Sequence, residues 1–316
     1  MNVVYIPRSY PPPSIVMAKP TRLILAQPAI VASFSKSPQR IYSKIQISRV
    51  LLQNRTVWQL AKHTNVEEFI EFLTEHGLVR YEFRDDKYGK EIVRYSWGKA
   101  SFFELAVSFK PHAYLCHATA TTLHGLAKPK SKAIYLNVEQ STKPPGNGSL
   151  TQEAINRAFG GNQRQSNLIY ACNRASVTMV SGKNTNRLGV EDILGPNSEK
   201  LQVTNLERTL IDIVVRPAYS GGISQILKTY RAAKDRISVD RLLKILNQLN
   251  YVYPYHQPIG FLMQKTGYPG NEYSKLRELG LIYDFFLYHA IDLPPLKWSS
   301  LKYGFDHGGL ACTRFG

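Results

Sequence analysis

Three side chains able to bind a metal ion or act as nucleophile or base lie within one short stretch of the sequence. The stretch YLCHATATTLHGL contains Cys116, His117 and His124. On a helix, the two histidines would share a face but lie about 10 Å apart along the axis. One zinc ion, with ligand bonds of about 2 Å, cannot take both of them. Because no acidic residue lies between Glu104 and Glu139 to orient a histidine, and the intervening residues are small, the stretch predicts a packed helix.

A second group of candidate residues is charged. The stretch NLERTLID contains Glu207, Arg208 and Asp212, and the i,i+4 spacing of the last two predicts an ion pair. The sequence DDK, beginning at Asp85, resembles the end of a PD-(D/E)xK nuclease motif, so Asp85, Glu207 and Asp212 are the candidates for a metal-dependent nuclease of a phage-defence system. Their spacing does not indicate convergence on one metal ion, and Asp is also favoured in turns.

Recognisable catalytic motifs are missing from the sequence. It contains no Walker motif, no GxGxxG after a strand, no HExxH and no GxSxG. We therefore predict that the protein is not an enzyme and has no catalytic residue, metal ion or cofactor.

The charge of the chain predicts a polyanionic partner. Its 316 residues are 43% hydrophobic and carry a formal net charge of +17, which suits a folded, basic protein. The first acidic residue is Glu67, so the preceding segment could bind nucleic acid, act as a membrane-surface or organellar targeting segment, or form a solvated tail. A signal peptide beginning at Met17 is disfavoured because Pro28 interrupts its apolar run. Three widely spaced cysteines without a CxxC motif fit a reducing compartment, and we expect a cytoplasmic protein.

The fold class that we predict is α+β, with an N-terminal winged helix-turn-helix followed by a larger mixed α/β domain. Seven prolines in the first 40 residues indicate a basic, poorly ordered arm over residues 1–40. Residues 41–98 then contain three helical patterns, IYSKIQISRVLLQN, NRTVWQLAKHTN and VEEFIEFLTEHGLV, followed by a hairpin around DDKYGK. This order is typical of a winged helix. Alternating helical and strand patterns place a second domain at residues 101–290, and residues 291–316 form an atypical tail.

Basic residues gather where a winged helix contacts DNA. On the hairpin, or wing, they are Arg80, Arg84, Lys87, Lys90 and Arg94. Before the third helix, the residues at the groove are Lys62, His63, Thr64 and Asn65. The third helix is itself acidic, with Glu67, Glu68, Glu71 and Glu75. The sequence thus leaves open a winged helix that docks a protein partner instead of DNA.

Five segments of the chain resemble the AbiEi family of type IV antitoxins and predicted transcriptional regulators. They are, in order, YLCHATATTLHGL, IYLN, LTQEAINRAFGGNQR, VTNLERTLIDIVVRPAYSGGI and IGFLMQKTGY. In that family, a winged helix precedes a domain with a Y-L-S-H-x-x-A-x-x-x-H-G-L-like segment and a later E-R-T-L-x-D helix followed by two glycines. The resemblance runs from about Ile41 to Tyr268. Cys116 stands where the family has Ser, and the ending LKYGFDHGGLACTRFG does not match a familiar family ending.

The resemblance implies a DNA-binding autorepressor and antitoxin of a toxin-antitoxin system for abortive infection. Its partners would be operator DNA and a nucleotidyltransferase toxin, which it opposes without forming a stable complex, and it would not bind membranes. Repression would belong to the winged helix, and the antitoxin role to the residues from about 101 onwards. The family motif there falls on His117, His124, Glu207, Arg208 and Asp212.

Overall fold

A computed structural model describes most of the chain. The described ranges are 20–85, 87–129, 131–142, 149–159, 163–173 and 175–284. The first 19 residues of the predicted arm and the whole of the predicted tail at 291–316 lie outside these ranges.

The N-terminal part contains three helices and three strands. In chain order they are α1 (Arg22–Lys36), β1 (Ile41–Tyr42), α2 (Lys44–Asn54), α3 (Val66–Glu75), β2 (Leu78–Arg84) and β3 (Glu91–Trp97). Each helix begins after a residue whose side chain accepts a hydrogen bond from the first turn, namely Thr21, Ser43 and Asn65. Ser43 also forms a capping box with Gln46. These local signals fix where the helices begin.

Helix α1 corrects the predicted arm, because residues 22–36 are helical. Pro28 lies inside the helix, and Leu23, Ala26, Ile30 and Phe34 are buried on one face. The spacing of these apolar residues by three and four positions lets them pack together against the rest of the N-terminal core. Burial of this apolar face stabilises the helix by more than the loss of one backbone hydrogen bond at Pro28 destabilises it.

The second of the three predicted helices, in NRTVWQLAKHTN, is not formed. Trp58 and Leu60 are buried, but Gln59 between them has a φ of 52°, in the left-handed region that interrupts a helix. The described residues before the hairpin still contain three helices, because α1 precedes α2 and α3. The hairpin that follows α3 lies where the sequence predicts it.

The C-terminal part contains eight helices and six strands in the described residues. In chain order they are α4 (Phe102–Val107), β4 (Tyr114–Leu115), α5 (His117–Leu123), β5 (Ala133–Glu139), α6 (Gln152–Phe159), β6 (Ile169–Cys172), β7 (Ala175–Gly182), β8 (Val190–Leu194), β9 (Lys200–Thr204), α7 (Leu206–Val215), α8 (Gly222–Ala233), α9 (Val239–Leu249), α10 (His256–Lys265) and α11 (Gly270–Arg277). The predicted mixture of helices and strands is confirmed. The helix expected to include Val203 begins only at Leu206, because Val203 and Thr204 belong to β9.

All nine described strands form one sheet. Their order is β1-β3-β2-β6-β7-β5-β4-β9-β8, and only the β5–β7 and β4–β9 pairs are parallel. Strand β2 joins β6 at the pair Arg84–Ala171. The hairpin is therefore hydrogen-bonded to the C-terminal part of the chain and does not stand alone.

The hairpin contributes to two hydrophobic cores. Leu78 and Tyr95 face the first core, with helices α1 to α3. Phe83, from the opposite face, belongs to a second core with residues of α4, β5 and β9. A third core joins helices α7 to α10. Within the described ranges, no helix combines the length and apolar character needed to cross a bilayer.

Candidate nucleic-acid interface

The tip of the hairpin between β2 and β3 presents two exposed lysines on a fixed turn. The buried Asp85 carboxylate accepts hydrogen bonds from the backbone N–H groups of Lys87 and Tyr88, at 2.9 and 3.4 Å. Gly89, with a φ of 63°, closes the turn. The ammonium groups of Lys87 and Lys90 lie 5.6 and 6.0 Å from the centre of the exposed Tyr88 ring. The tip is thus a small cationic surface with an aromatic side chain at its centre.

Arg80 and Arg84 lie on the same face of β2 and are exposed but ion-paired. One Glu82 oxygen lies 2.8 Å from Arg80 and the other 3.1 Å from Arg84, and Glu91 lies 3.7 Å from Arg84. Such exposed pairs are weak and are readily exchanged for contacts to phosphate. The two arginines are available to an anionic partner, but the carboxylates reduce the positive charge here.

Arg94 is separated from the other basic residues of the hairpin. Its guanidinium donates hydrogen bonds to the carbonyls of Ser108, Phe109 and Val93 at 2.8–3.2 Å, and burial lowers its pKa. Alternation along β3 places Arg94 opposite Tyr81, on the hairpin face that covers the second core. The expectation that Arg94 contacts DNA is therefore corrected, because Arg94 anchors the hairpin to the segment after α4.

The loop between α2 and α3 is held by Arg55. Its guanidinium donates to the carbonyls of Ala61, Lys62 and Thr64 at 2.5, 3.1 and 2.9 Å. The Lys62 and His63 side chains are exposed as a result.

The two other residues expected at the groove have structural roles. Thr64 is buried, and the Asn65 side chain caps α3 by accepting a hydrogen bond from the Glu68 N–H at 2.8 Å. Of the four residues predicted at the groove, only Lys62 and His63 therefore present exposed side chains to a partner.

The outward face of α3 is acidic, as the sequence indicates. Glu67, Glu68, Glu71 and Glu75 are exposed, and Glu67 pairs with Lys44 of α2. A groove of about 500 Å³ runs beside this face, and Arg80 and Tyr95 also line it. Carboxylates repel DNA phosphates, so this face does not favour insertion into a major groove.

The first half of the YLCHATATTLHGL stretch has the surroundings of a core rather than of a reactive site. Cys116 is fully buried, and burial raises the pKa of its thiol well above the ordinary value. Burial also lowers the pKa of His117 to about 4, although Nδ1 lies 3.0 Å from the Cys116 sulfur. A reactive cysteine needs a stabilised thiolate, whereas both of these groups are held neutral. Their role is to pack α5 beneath Tyr219, whose ring meets His117 edge-on.

The remaining histidine and the motif glutamate hold α5 and α7 in place. His124 Nε2 lies 2.6 Å from the carbonyl oxygen of Thr204, and Glu207 accepts a hydrogen bond from the Ser238 N–H at 3.1 Å. The Arg241 guanidinium lies 3.5 Å from the same carboxylate. Both motif residues thus connect elements that are distant in the sequence.

Arg208 and Asp212 form the predicted i,i+4 ion pair, and it is buried. Arg208 Nε lies 2.7 Å from Asp212 Oδ1, with side-chain exposures of 5% and 7%. Burial disfavours the charged guanidinium, but the Asp212 carboxylate keeps the pKa of Arg208 above its ordinary value. The same guanidinium donates to the Leu188 carbonyl at 2.6 Å and approaches the Thr185 hydroxyl at 3.4 Å.

A neighbouring polar network was not expected from the sequence. Thr185 donates to Glu139, which also accepts from Tyr114 at 3.0 Å and from the Arg187 N–H at 3.2 Å. Burial opposes ionisation of Glu139, but these hydrogen bonds lower its pKa below the ordinary value. Three segments far apart in the chain supply these groups, so no local pattern could have found them.

The three carboxylates considered for a nuclease do not come together. Asp85 orders the hairpin turn, whereas Glu207 and Asp212 are engaged on α7. In the part of the chain that the structure describes, no three His, Cys, Asp or Glu side chains are placed to hold a metal ion.

The fold is similar to that of a solved structure from Mycobacterium tuberculosis. No family model matches the chain, and no curated protein matches it either. The crystal structure of RV2827C protein from Mycobacterium tuberculosis is similar, with a TM-score of 0.48 and 14% sequence identity over 85% of this chain and 84% of that chain.

Proposed function

We propose that the protein is a winged-helix DNA-binding protein that contacts DNA mainly through the tip of its hairpin. The order helix, short strand, helix, helix and hairpin, with β1 paired to the edge of β3, supports a winged-helix assignment. In this arrangement α3 occupies the position of the recognition helix, and the β2–β3 hairpin is the wing.

The observation that carries this proposal is the cationic tip. Lys87 and Lys90 are exposed on a turn fixed by Asp85. Arg84 is exposed nearby on β2 and can exchange its weak pairs with Glu82 and Glu91 for contacts to phosphate. Lys62 and His63 are exposed in the loop between α2 and α3, which Arg55 holds in place. Contacts of this kind bind phosphates without reading bases. We therefore expect that affinity comes mainly from the DNA backbone, because the acidic face of α3 opposes deep entry into the groove.

Salt-dependent binding of duplex DNA tests the proposal. We expect the protein to shift a duplex from upstream of its own coding sequence, with affinity falling as salt rises. Replacing Lys87 and Lys90 together by Ala should weaken binding and reduce the salt slope by about two, because two phosphate contacts are lost.

Two matched variants make this test specific. Lys228→Ala with Lys244→Ala removes the same charge from exposed helical positions of the C-terminal part and should leave binding nearly unchanged. Arg94→Ala should reduce stability but not the salt slope, since Arg94 is bonded to backbone carbonyls. Equal losses from the tip pair and the helical pair would contradict a contact at the hairpin.

We propose further that the protein is a cytoplasmic autorepressor and antitoxin, as the resemblance to the AbiEi family implies. The support is that segments resembling the family pack against one another in the structure. Strand β4 lies between β5 and β9, α5 packs on α7, and His124 links α5 to Thr204.

Co-expression tests the antitoxin role. Growth arrest caused by a nucleotidyltransferase encoded beside this chain should be relieved by wild-type protein and by the Lys87→Ala, Lys90→Ala double variant. Loss of rescue in the double variant would contradict the assignment of antitoxin activity to the C-terminal part.

A protein-docking role is the second candidate, favoured by the acidic groove along α3. A basic segment of a partner would suit Glu67, Glu71 and Glu75. Reversing Glu68 and Glu71 to Lys should abolish cellular function without reducing DNA affinity if α3 docks a protein. An increase in DNA affinity with function retained would exclude this candidate.

A further inference from the structure

A pocket of about 670 Å³ opens in the C-terminal part. It lies between α5, the start of β5, the segment that joins them and the N-terminus of α8. Its volume is within the range of small-molecule sites, roughly 300–1,000 Å³. None of the residues discussed for DNA contact lines it.

Part of the pocket lining is suited to an anion. Lys128 and Lys132 line the pocket, and no described Asp or Glu does. Gly221, which precedes helix α8 and has a φ of 77°, lines the same pocket, and no side chain caps the first turn of α8 in the described residues. The first N–H groups of a helix lack partners within the helix and carry a partial positive charge. The two lysines and the helix N-terminus therefore both favour negative charge in this pocket.

Ser220 provides an independent sign of a ligand. It lines the pocket immediately before the N-terminus of α8 and is only 3% exposed. Its hydroxyl oxygen is buried without a hydrogen-bond partner among the described residues. A buried hydroxyl without a partner is unfavourable, and a phosphate oxygen in the pocket would accept its hydrogen bond.

Much of the remaining pocket lining is apolar and aromatic. Phe102, Phe103 and Tyr135 line the pocket together with small residues such as Ala118 and Ala133. Aromatic rings in a pocket favour a flat ring system by stacking. The pocket thus combines groups that suit a planar, apolar ring with groups that suit phosphate.

We propose that this pocket binds a nucleoside phosphate, with the base against Phe102, Phe103 and Tyr135 and the phosphates at Lys128, Lys132, Ser220 and the N-terminus of α8. No residue proposed for DNA contact lines this pocket, so the inference goes beyond the proposed DNA binding and does not depend on it.

Fluorescence titration with ATP and GTP that carry an N-methylanthraniloyl group on the ribose tests the site. We expect saturable binding to the full chain in the absence of DNA. Unlabelled nucleotide should compete, whereas adenosine or inorganic pyrophosphate alone should compete more than about tenfold less well, because adenosine lacks the phosphates and pyrophosphate lacks the base.

Variants of the pocket distinguish a ligand contact from a structural role. Ser220→Ala removes a hydroxyl without a described partner, so it should weaken binding about tenfold without lowering the melting temperature. Lys128→Ala with Lys132→Ala should weaken binding at least as much. Lys228→Ala, an exposed position of α8 outside the pocket, is the matched control and should not change affinity.

Four outcomes would overturn the proposal. They are no saturable binding of either labelled nucleotide by folded protein, affinity unchanged in both pocket variants, equal competition by adenosine and ATP, and stronger competition by a single-stranded oligonucleotide than by the mononucleotide. Loss of DNA binding in the hairpin variant, with nucleotide binding retained, would separate the two sites.

Discussion

At the scale of single residues, losing one partner of an ion pair costs more stability in the core than on the surface. Arg208 and Asp212 are both nearly excluded from water, whereas Lys275 and Asp240 form a pair with exposures of 41% and 76%. Removing one partner of a buried pair leaves the other charge without compensation. An exposed charge that loses its partner is solvated instead.

Asp212→Ala should therefore reduce the free energy of unfolding by about 3–5 kcal/mol, because Arg208 remains charged and buried. Asp240→Ala, in the exposed pair, should cost less than about 1 kcal/mol. Urea denaturation of the two variants measures the difference. Equal losses of unfolding free energy in the two variants would mean that water reaches Arg208.

His117 makes stability depend on pH. Burial lowers its pKa to about 4 from an ordinary value of 6.5, so between these values the unfolded chain binds a proton that the folded protein does not. Stability should consequently fall as pH falls through this window, by about 2 kcal/mol between pH 7.5 and pH 5.

Replacement of His117 by Asn isolates this contribution. Asn does not titrate and tolerates the φ of 51° found at this position. Urea denaturation at both pH values should show a smaller loss in His117→Asn than in the wild type. His63→Asn, at an exposed position, should keep the wild-type pH dependence, and identical pH dependence in all three proteins would contradict burial of a neutral His117.

At the scale of elements, the sequence predicts best where the local pattern agrees with the packing. Helix α3 and the hairpin combine clear periodicity with an Asn cap and a turn-forming Asp, so both were predicted. Helix α1 could not be predicted, because Pro28 disfavours a helix locally. The hydrophobic core that stabilises α1 despite Pro28 includes Phe69, which lies far along the chain. The packing of Arg94 against the segment after α4 could not be predicted for a related reason. Alternation along a strand shows which residues share a face of the sheet, but not which part of the chain covers that face.

Two isoleucines of α1 test whether the helix belongs to the core. Ile30 is fully buried, whereas Ile24 on the same helix is 53% exposed. Ile30→Ala should reduce the free energy of unfolding by about 2–5 kcal/mol. Ile24→Ala should change it by less than about 1 kcal/mol, because the exposed site loses little buried area. Similar small effects at both positions, measured by urea denaturation, would mean that residues 22–36 do not stabilise the fold.

At the scale of the whole molecule, the shared sheet joins the parts that the sequence divides into two domains. The sequence predicts a boundary between residues 98 and 101 from the change of pattern. The structure places Phe83 of the hairpin in the core of the following part, and β2 pairs with β6. The predicted domain boundary therefore does not separate two independently packed parts. The shared packing could not be predicted, because strand pairing between residues so far apart produces no local sequence pattern.

Unfolding in a single transition follows from this shared packing. In a Trp298→Phe background, fluorescence reports on Trp58 and Trp97, both of which lie in or against the first core. Far-UV ellipticity reports mainly on the helices of the C-terminal part. Both signals should give the same urea midpoint, since the hairpin must lose its contacts with both cores together.

Phe83→Ala tests this coupling directly. The Phe83 side chain is fully buried in the second core, so its loss should cost about 3–5 kcal/mol. If the two parts unfold together, the fluorescence midpoint must fall with the ellipticity midpoint, although both tryptophans lie at the first core. Tyr88→Ala, in the same hairpin but exposed at the tip, should move neither midpoint. A fluorescence transition that stays in place while the ellipticity transition shifts would instead establish two independently folding units, and the hairpin would then belong to the first of them alone.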